Sequence, residues 1–252
     1  MVQIGLLGCG NVGRIVACHQ EGFTIASIFD KDINSVAEVA AIAHAKPYDD
    51  FDAFIQDPFE LCVEAASVEA VQTYGCQALE SGKDLVILSV GALADSEFRE
   101  KICDIARRHN RKIHVPSGAI MGLDNLKIGS VSELHSVTLR TTKPPHSLGS
   151  TAETRTLLFS GTADECVRRY PKNANVSIAL ELAVEHDVQV ELWADPAVSN
   201  NIHEIIVSGE FGEVYTKVTN VPSPNNPATS YLAALSLLAL LKAYDEPLVI
   251  GT

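Results

Sequence analysis

The sequence predicts an α/β chain: an N-terminal doubly wound parallel sheet, then a second α+β domain with a mainly antiparallel sheet. Three observations predict it. Residues 1 to about 116 alternate short apolar runs with helix-period stretches, the pattern of successive βαβ units. The first run opens through Gly8-x-Gly10-x-x-Gly13 into a helical stretch. From about residue 132 the rhythm changes to strands broken by turn residues and two helices.

Taken in order, Ile4–Leu7 reads as a strand and Asn11–Glu21 as a helix. Ile25–Phe29 is a strand, and Ile33–His44 an Ala- and Val-rich helix. Phe59–Ala65 is a strand and Val68–Ser81 a helix ending at Gly82; Asp84–Val90 is a strand and Ser96–Asn110 a helix with a basic last turn. Lys112–Val115 is a strand that stops at Pro116. These strands are near-continuous apolar runs, as a parallel sheet buried on both faces requires. The linker is Pro116-Ser117-Gly118-Ala119. Beyond it, His135–Thr142, Thr154–Ser160, Val188–Ala194, Ile202–Gly209 and Glu213–Asn220 read as strands, the last two joined by a hairpin at Glu210-Phe211-Gly212. One helix opens on the capping box Thr162-x-x-Glu165 and ends near Tyr170-Pro171; another runs from Asn175 to Val184. The last helix, Ser230–Ala243, is apolar over much of its surface and is expected to return to the first domain. The domains are therefore 1–116, completed by the helical C-terminus 228–252, and 117–227.

The glycine motif has a physical reading. Gly8 permits a tight turn, Gly10 lets the backbone approach a pyrophosphate, and Gly13 allows a helix to pack close on a strand. Asn11 and Val12 open the helix, whose N-terminus favours phosphate. A lone motif of this kind is weak. Here it lies between strand and helix, and Asp30 ends the second strand 17 residues after Gly13, near the ~20-residue spacing of the carboxylate that takes ribose hydroxyls. This is the Rossmann pattern, and its cofactor is NAD, with NADP admitted by the neighbouring Lys31 and Arg14. In such sheets ligands lie beyond the strands' carboxyl ends. Those ends carry Asp30, Ala65-Ala66-Ser67, Ser89-Val90-Gly91-Ala92 and Ser117-Gly118-Ala119. Any one of these is an ordinary tight loop; the series leaves room for a flat dinucleotide whose nicotinamide end lies near Ser117–Ala119.

Composition removes other classes. With 252 residues, 46% hydrophobic and 20% charged, the chain can bury a substantial core. A net charge of −13 disfavours nucleic acid and anionic membrane as partners, since both need a basic face. No apolar run approaches a membrane span of ~20 residues, and the N-terminus lacks the basic region of a secretory signal. The six cysteines form no C-x-x-C pair and no metal-ligand spacing. Five read as small buried thiols, and the sixth, Cys9, sits inside the glycine motif. The cytoplasm is the expected compartment, and a homodimer the expected assembly.

Charge is unevenly spread. Residues 1–60 carry three cations against nine carboxylates, whereas residues 138–175 carry six against three. A cationic patch in an acidic chain suits a small anionic substrate. Arg168 and Arg169 read best as a solvated helix face; Lys172, in Pro-Lys-Asn-Ala-Asn, is the stronger ligand candidate, with Lys143 and Arg140 behind it. Of eight histidines, His203 stands out, at the start of a second-domain strand in Asn-Asn-Ile-His-Glu. A strand histidine is more often structural than catalytic, and spacing alone does not decide.

Several motifs together resemble the L-aspartate dehydrogenase family: Gly5-Leu-Leu-Gly-x-Gly-x-x-Gly13, Val63-Glu-Ala-Ala-Ser67, Leu88-Ser-Val-Gly-Ala-Leu-Ala-Asp95, Pro116-Ser-Gly-Ala-Ile-Met-Gly-Leu-Asp124, Pro171-Lys-Asn-Ala-Asn-Val176, Asn201-Ile-His-Glu-Ile205, Gly209-Glu-Phe-Gly-Glu213 and Asn226-Pro-Ala-Thr-Ser-Tyr-Leu-Ala-Ala-Leu-Ser236. They keep their order over essentially the whole chain. The resemblance implies NAD(P)-dependent oxidation of L-aspartate to iminoaspartate, which hydrolyses to oxaloacetate and ammonia or feeds pyridine nucleotide synthesis. It places His203 in the catalytic position and Ala119 and Asn175 at cofactor contacts. Ser117 and Lys172 become donors for the substrate carboxylates, beside the cofactor positions Gly8, Gly10, Asn11, Val12, Gly13, Asp30, Ala66, Ser67 and Ser89; no metal is implied. The competing readings are a two-domain reductase of the dihydrodipicolinate reductase or sugar-oxidoreductase type, which would carry a different base motif, and an NAD-sensing regulator, which would need a partner-binding module.

Overall fold

The computed structural model describes residues 1–171, 174–224 and 226–251. It separates into two units: Met1–Pro116 with Ala234–Val249, and Ser117–Ala233 with the last residues of the chain.

The first unit is built from β1 (Val2–Leu7), α1 (Asn11–Cys18), β2 (Phe23–Phe29), α2 (Ile33–Ala43), β3 (Lys46–Tyr48), α3 (Phe51–Ile55), β4 (Leu61–Glu64), α4 (Val68–Glu80), β5 (Asp84–Ile87), α5 (Ser96–His109) and β6 (Ile113–His114). Its six strands are all parallel, in the order β3-β2-β1-β4-β5-β6. The chain reverses direction of winding between β1 and β4, which opens a crevice at their carboxyl ends. Ile4, Leu6, Ile28, Leu61, Val63, Val86 and Ile87 are buried, as the apolar runs require. Side chains that cannot stay in a helix interior start the helices. Asp32, Asp50, Ser67 and Asp95 each accept a first-turn N–H of α2, α3, α4 and α5.

β3 and α3 had no forecast in the sequence. β3 is three residues at the sheet edge and contains Pro47, and α3 is five residues, too short for periodicity to register. Tertiary packing holds α3: Phe51 stacks on Tyr74 at 4.1 Å, and Phe29, Phe54 and Phe59 complete the ring cluster. The strand expected to reach Val90 stops at Ile87, and Val90–Ala94 forms a 3-10 turn. Cys18 is exposed, and Cys76 and Cys103 are only half-buried, because each sits at a helix margin rather than on the core face. The expectation of five buried thiols is corrected there.

The second unit contains α6 (Leu123–Leu126), β7 (Leu134–Lys143), β8 (Thr156–Thr162), α7 (Ala163–Arg169), α8 (Ala174–Val184), β9 (Gln189–Ala194), β10 (Ile202–Gly209), β11 (Gly212–Thr219), β12 (Pro222–Ser223), β13 (Asn226–Ser230) and the start of α9 (Tyr231–Ala243). The main sheet runs β11-β10-β7-β9-β8. Three of its four pairings are antiparallel, but β7 and β9 are parallel. The chain leaves along β8 and returns through α7 and α8, so β9 inserts between β7 and β8 in the direction of β7. Val137, Leu139, Val190, Leu192, Ile205 and Val207 alternate inward and are buried. The Thr162–Glu165 capping box is present, and β10 and β11 close through Glu210-Phe211 with Gly209 opposite Gly212. From Ala234 onward α9 belongs to the first unit, where the following Tyr244 donates to Asp84 at 2.7 Å and meets the edge of His114. Among the described residues no helix is long and apolar enough to cross a membrane.

Candidate active site

The first unit shapes a nucleotide crevice from backbone outward. Gly8 has φ +116°, and its N–H donates to the Phe29 carbonyl at 2.9 Å. Gly13 lies so close to β1 that an added Cβ would stand 2.0 Å from the Gly8 carbonyl oxygen. By contrast, a Cβ on Gly10 would meet nothing within 4 Å: helix and strand touch at Gly13, and space remains at Gly10 for a pyrophosphate. The N-cap of α1 is Gly10, which has no side chain to offer the first turn, so an anion at Gly10 is positioned to accept from that turn. Asn11 and Val12 are the first residues of that turn.

Asp30 directly follows β2 and turns into the crevice. One carboxylate oxygen accepts the Cys9 N–H at 2.6 Å and the other the Asp32 N–H at 3.0 Å. These bonds fix the carboxylate at the rim of a cavity of about 260 Å³. Gly10, Asp30, Lys31, Ala66, Ser67 and Tyr74 help line it. Lys31 pairs with Glu69 at 2.9 Å, and Arg14 binds Glu38 through both nitrogens, so both neighbouring cations already have partners. Burial and the Asp30 charge push the Cys9 thiol up to about 12, which removes it as a nucleophile.

Glu64 went unnoticed in the sequence. It ends β4, is fully buried and accepts four hydrogen bonds. Oε1 takes the Ala66 N–H at 2.8 Å and the Ser89 hydroxyl at 2.7 Å; Oε2 takes the Leu88 and Ser89 N–H groups at 3.1 and 2.9 Å. Burial raises its pKa while these donors pull the other way. The carboxylate ties the loop after β4 to the loop after β5, and Ser89 is committed to it. The available signal was a lone carboxylate closing the buried run Leu-Cys-Val-Glu.

The second unit gathers its polar groups at one end of the sheet, where β7 and β9 finish, β10 begins and β11 ends. His203 is 6% exposed, and its Nδ1 lies 2.9 Å from the Thr141 hydroxyl on the facing strand. Burial first, and the charge of Lys143 second, push its pKa down to about 3, so the imidazole is neutral near pH 7. Lys143 follows Thr141 by two residues and shares its face. Asn220, 3% exposed, donates to the Ala119 carbonyl at 3.0 Å and accepts from the Ser230 hydroxyl. It fixes Ser117-Gly118-Ala119, where Gly118 has φ +65°, at the same end. Thr141 and Asn220 escaped sequence reasoning because only strand register brings them to His203 and Ala119.

Other expectations separate. Arg140 lies on the opposite face and binds Glu191 at 2.7 Å. Arg168 and Arg169 are exposed on α7. Asn175 is the second residue of α8. Lys172 lies outside the described residues. Among the described residues no group of three or more His, Cys, Asp or Glu side chains could hold a metal ion.

Comparison with known proteins fits this division. The NAD-binding domain model of homoserine dehydrogenase matches residues 5–116, and the C-terminal domain model of aspartate dehydrogenase matches residues 124–244. The chain is 61% identical to an L-aspartate dehydrogenase of Methanospirillum hungatei, with all of both chains covered. It is 41% identical to one from Methanothermobacter thermautotrophicus, covering all of this chain and 99% of the other. The crystal structure of aspartate dehydrogenase from Thermotoga maritima is similar over the whole of both chains, with a TM-score of 0.81 at 30% identity. A nucleotide crevice of this form, a buried neutral histidine on the second sheet, and likeness along the full length lead to one assignment: the chain belongs to the aspartate dehydrogenase family.

Proposed function

We propose that the protein oxidises L-aspartate to iminoaspartate with NAD as the preferred acceptor, and that His203 is the general base. The observation that carries this reading is the buried, neutral His203, held through Nδ1 by Thr141. Hydride leaves the α-carbon only when the nitrogen lone pair can push, so the substrate ammonium must first lose a proton. With Nδ1–H donating to Thr141, Nε2 keeps its lone pair for that proton. Burial excludes water and keeps the imidazole from being protonated beforehand. Ser117 and the Asn220-anchored loop supply donors for a substrate carboxylate. The residues of the first unit fit a dinucleotide: Gly8, Gly10 and Gly13 shape the pyrophosphate turn, while Asp30, Ala66 and Ser67 line the ribose end. The nicotinamide, when bound, supplies the hydride acceptor.

Further parts of the reading follow from chemistry. Iminoaspartate either hydrolyses to oxaloacetate and ammonia or serves pyridine nucleotide biosynthesis. Free thiols fit the cytoplasm. The sheet face opposite His203 presents Tyr215, 58% exposed, and Leu157, 44% exposed, which supports a homodimer formed through that face. Residues 1–116 with the C-terminal helix hold the cofactor, and the remainder holds the substrate.

The test is steady-state kinetics with L-aspartate and either NAD or NADP. Wild type forms NADH and favours NAD, because the Asp30 carboxylate accepts from both ribose hydroxyls and repels a 2′-phosphate. Asp30→Ala raises the KM for NAD roughly tenfold, the cost of such hydrogen bonds, and narrows the advantage over NADP. An unchanged cofactor ratio would mean that Asp30 does not meet the ribose.

A further inference from the structure

Lys143 differs from the other cations around it. Arg140 is neutralised by Glu191, and Arg155 lies 3.9 Å from Asp195 and over the Trp193 ring. The Lys143 ammonium has no carboxylate within 4 Å and no hydrogen-bond partner among the described residues. It is nevertheless half-buried, and burial lowers its pKa. The nearby Cys166 thiol does not compensate it, since burial pushes that thiol up to about 11. A desolvated cation without a partner is costly. Its position is also specific. Lys143 lies on the face of β7 that carries Thr141, one alternation further toward the sheet end where His203 sits. That step is about 7 Å along the strand. A substrate whose amine lies at His203 can therefore direct a second carboxylate toward Lys143.

We infer that Lys143 is the residue that selects a dicarboxylic amino acid, by pairing with the side-chain carboxylate of the substrate. The inference rests on the placement of the acid–base chemistry at His203. It also gives the pair a joint logic. The Lys143 charge opposes protonation of His203, and a carboxylate docked on Lys143 offsets that charge, so the substrate that fits also makes the base more basic. A monocarboxylic amino acid does neither.

Two measurements on Lys143→Met and Lys143→Arg test this. The first is kcat/KM for L-aspartate and L-alanine. The second is calorimetric titration of succinate, an unreactive dicarboxylate, into the enzyme–NADH complex. Lys143→Met is expected to reduce the preference for aspartate over alanine by ~10²-fold and to weaken succinate binding by a similar factor, as losing a partner of a buried charge pair does. Lys143→Arg recovers part of both. If Lys143→Met keeps the wild-type preference and succinate affinity, the inference is overturned. An equal loss for aspartate and alanine overturns it too, because the cation would then serve the carboxylate they share. Succinate binding does not depend on the base, so it separates this inference from the His203 reading: His203→Ala at full activity refutes the base while leaving the Lys143 result intact.

Discussion

Replacing His203 with alanine lowers kcat for L-aspartate by ~10²–10⁴, the usual contribution of a general base, and leaves NADH affinity nearly unchanged. The selectivity follows from structure: His203 stands on β10 of the second unit, and the nucleotide crevice is built from residues of the first. The size follows from chemistry: without a base, only the small fraction of substrate with a free amine can react near neutral pH. The variant also removes the Thr141 partner, so Thr141→Val is the informative companion. It leaves the imidazole but frees Nδ1, and should lower kcat much less while leaving substrate KM nearly unchanged. A His203→Ala enzyme with more than about a third of wild-type kcat would place the base elsewhere, given the scale of such losses.

His203 also links stability to pH. Its folded pKa of about 3 lies below the ordinary value of about 6.5, so the unfolded chain binds the proton more readily. The histidine therefore costs nothing above about pH 6.5 and destabilises the fold progressively as pH falls toward 3. His203→Ala should lessen the loss of Tm between neutral and mildly acidic buffer.

Replacing Glu64 with alanine has the largest expected effect on the cofactor unit. The N–H groups of Ala66 and Ser89 and the Ser89 hydroxyl lose their acceptor at once, and the Leu88 N–H keeps only its 3.4 Å bond to the Glu64 backbone carbonyl. Buried donors left unpaired cost about 1–3 kcal/mol each, partly relieved by local movement and water. A net loss of about 3–5 kcal/mol corresponds to a fall in Tm of roughly 10 °C for a chain of this size. Because the freed loops follow β4 and β5 at the edge of the nucleotide crevice, the Kd for NADH should rise at least tenfold as well. Glu64→Gln keeps the shape but turns an amide toward donors, and should fall between wild type and Glu64→Ala. A Glu64→Ala protein with wild-type Tm and NADH affinity would show that the two loops are held by something other than this carboxylate.

The sequence declared the elements that burial governs. Continuous apolar runs announced β1, β2, β4 and β5, and the glycine spacing announced the turn into α1, because each depends on neighbours a few residues away. β3 and α3 were invisible for the opposite reason: a proline-containing edge strand and a single helical turn are held by the Phe29–Phe51–Tyr74 rings. The parallel pairing of β7 with β9 is a property of strand order, which local pattern does not encode. The site divides in the same way. Asp30 and the glycines were legible from spacing, and His203 from motif likeness. Thr141 became visible only when register set it opposite His203. Lys143 was legible as a candidate behind Lys172 and level with Arg140, and it separated from Arg140 once Arg140 was seen to bind Glu191. Glu64 left a trace, a charge closing a buried strand, which gains meaning from the donors converging on it.

Hydride leaving the α-carbon of L-aspartate is the central step of the proposed reaction. The direct measurement uses L-aspartate deuterated at that carbon, with unlabelled NAD, and mass analysis of the nicotinamide product. The deuterium is expected in the NADH formed, with a slower rate than for the unlabelled substrate when hydride transfer limits turnover, and with oxaloacetate and ammonia produced in equal amounts. NADH formed without the label, or no NADH from L-aspartate by a folded protein that binds NADH, would contradict it.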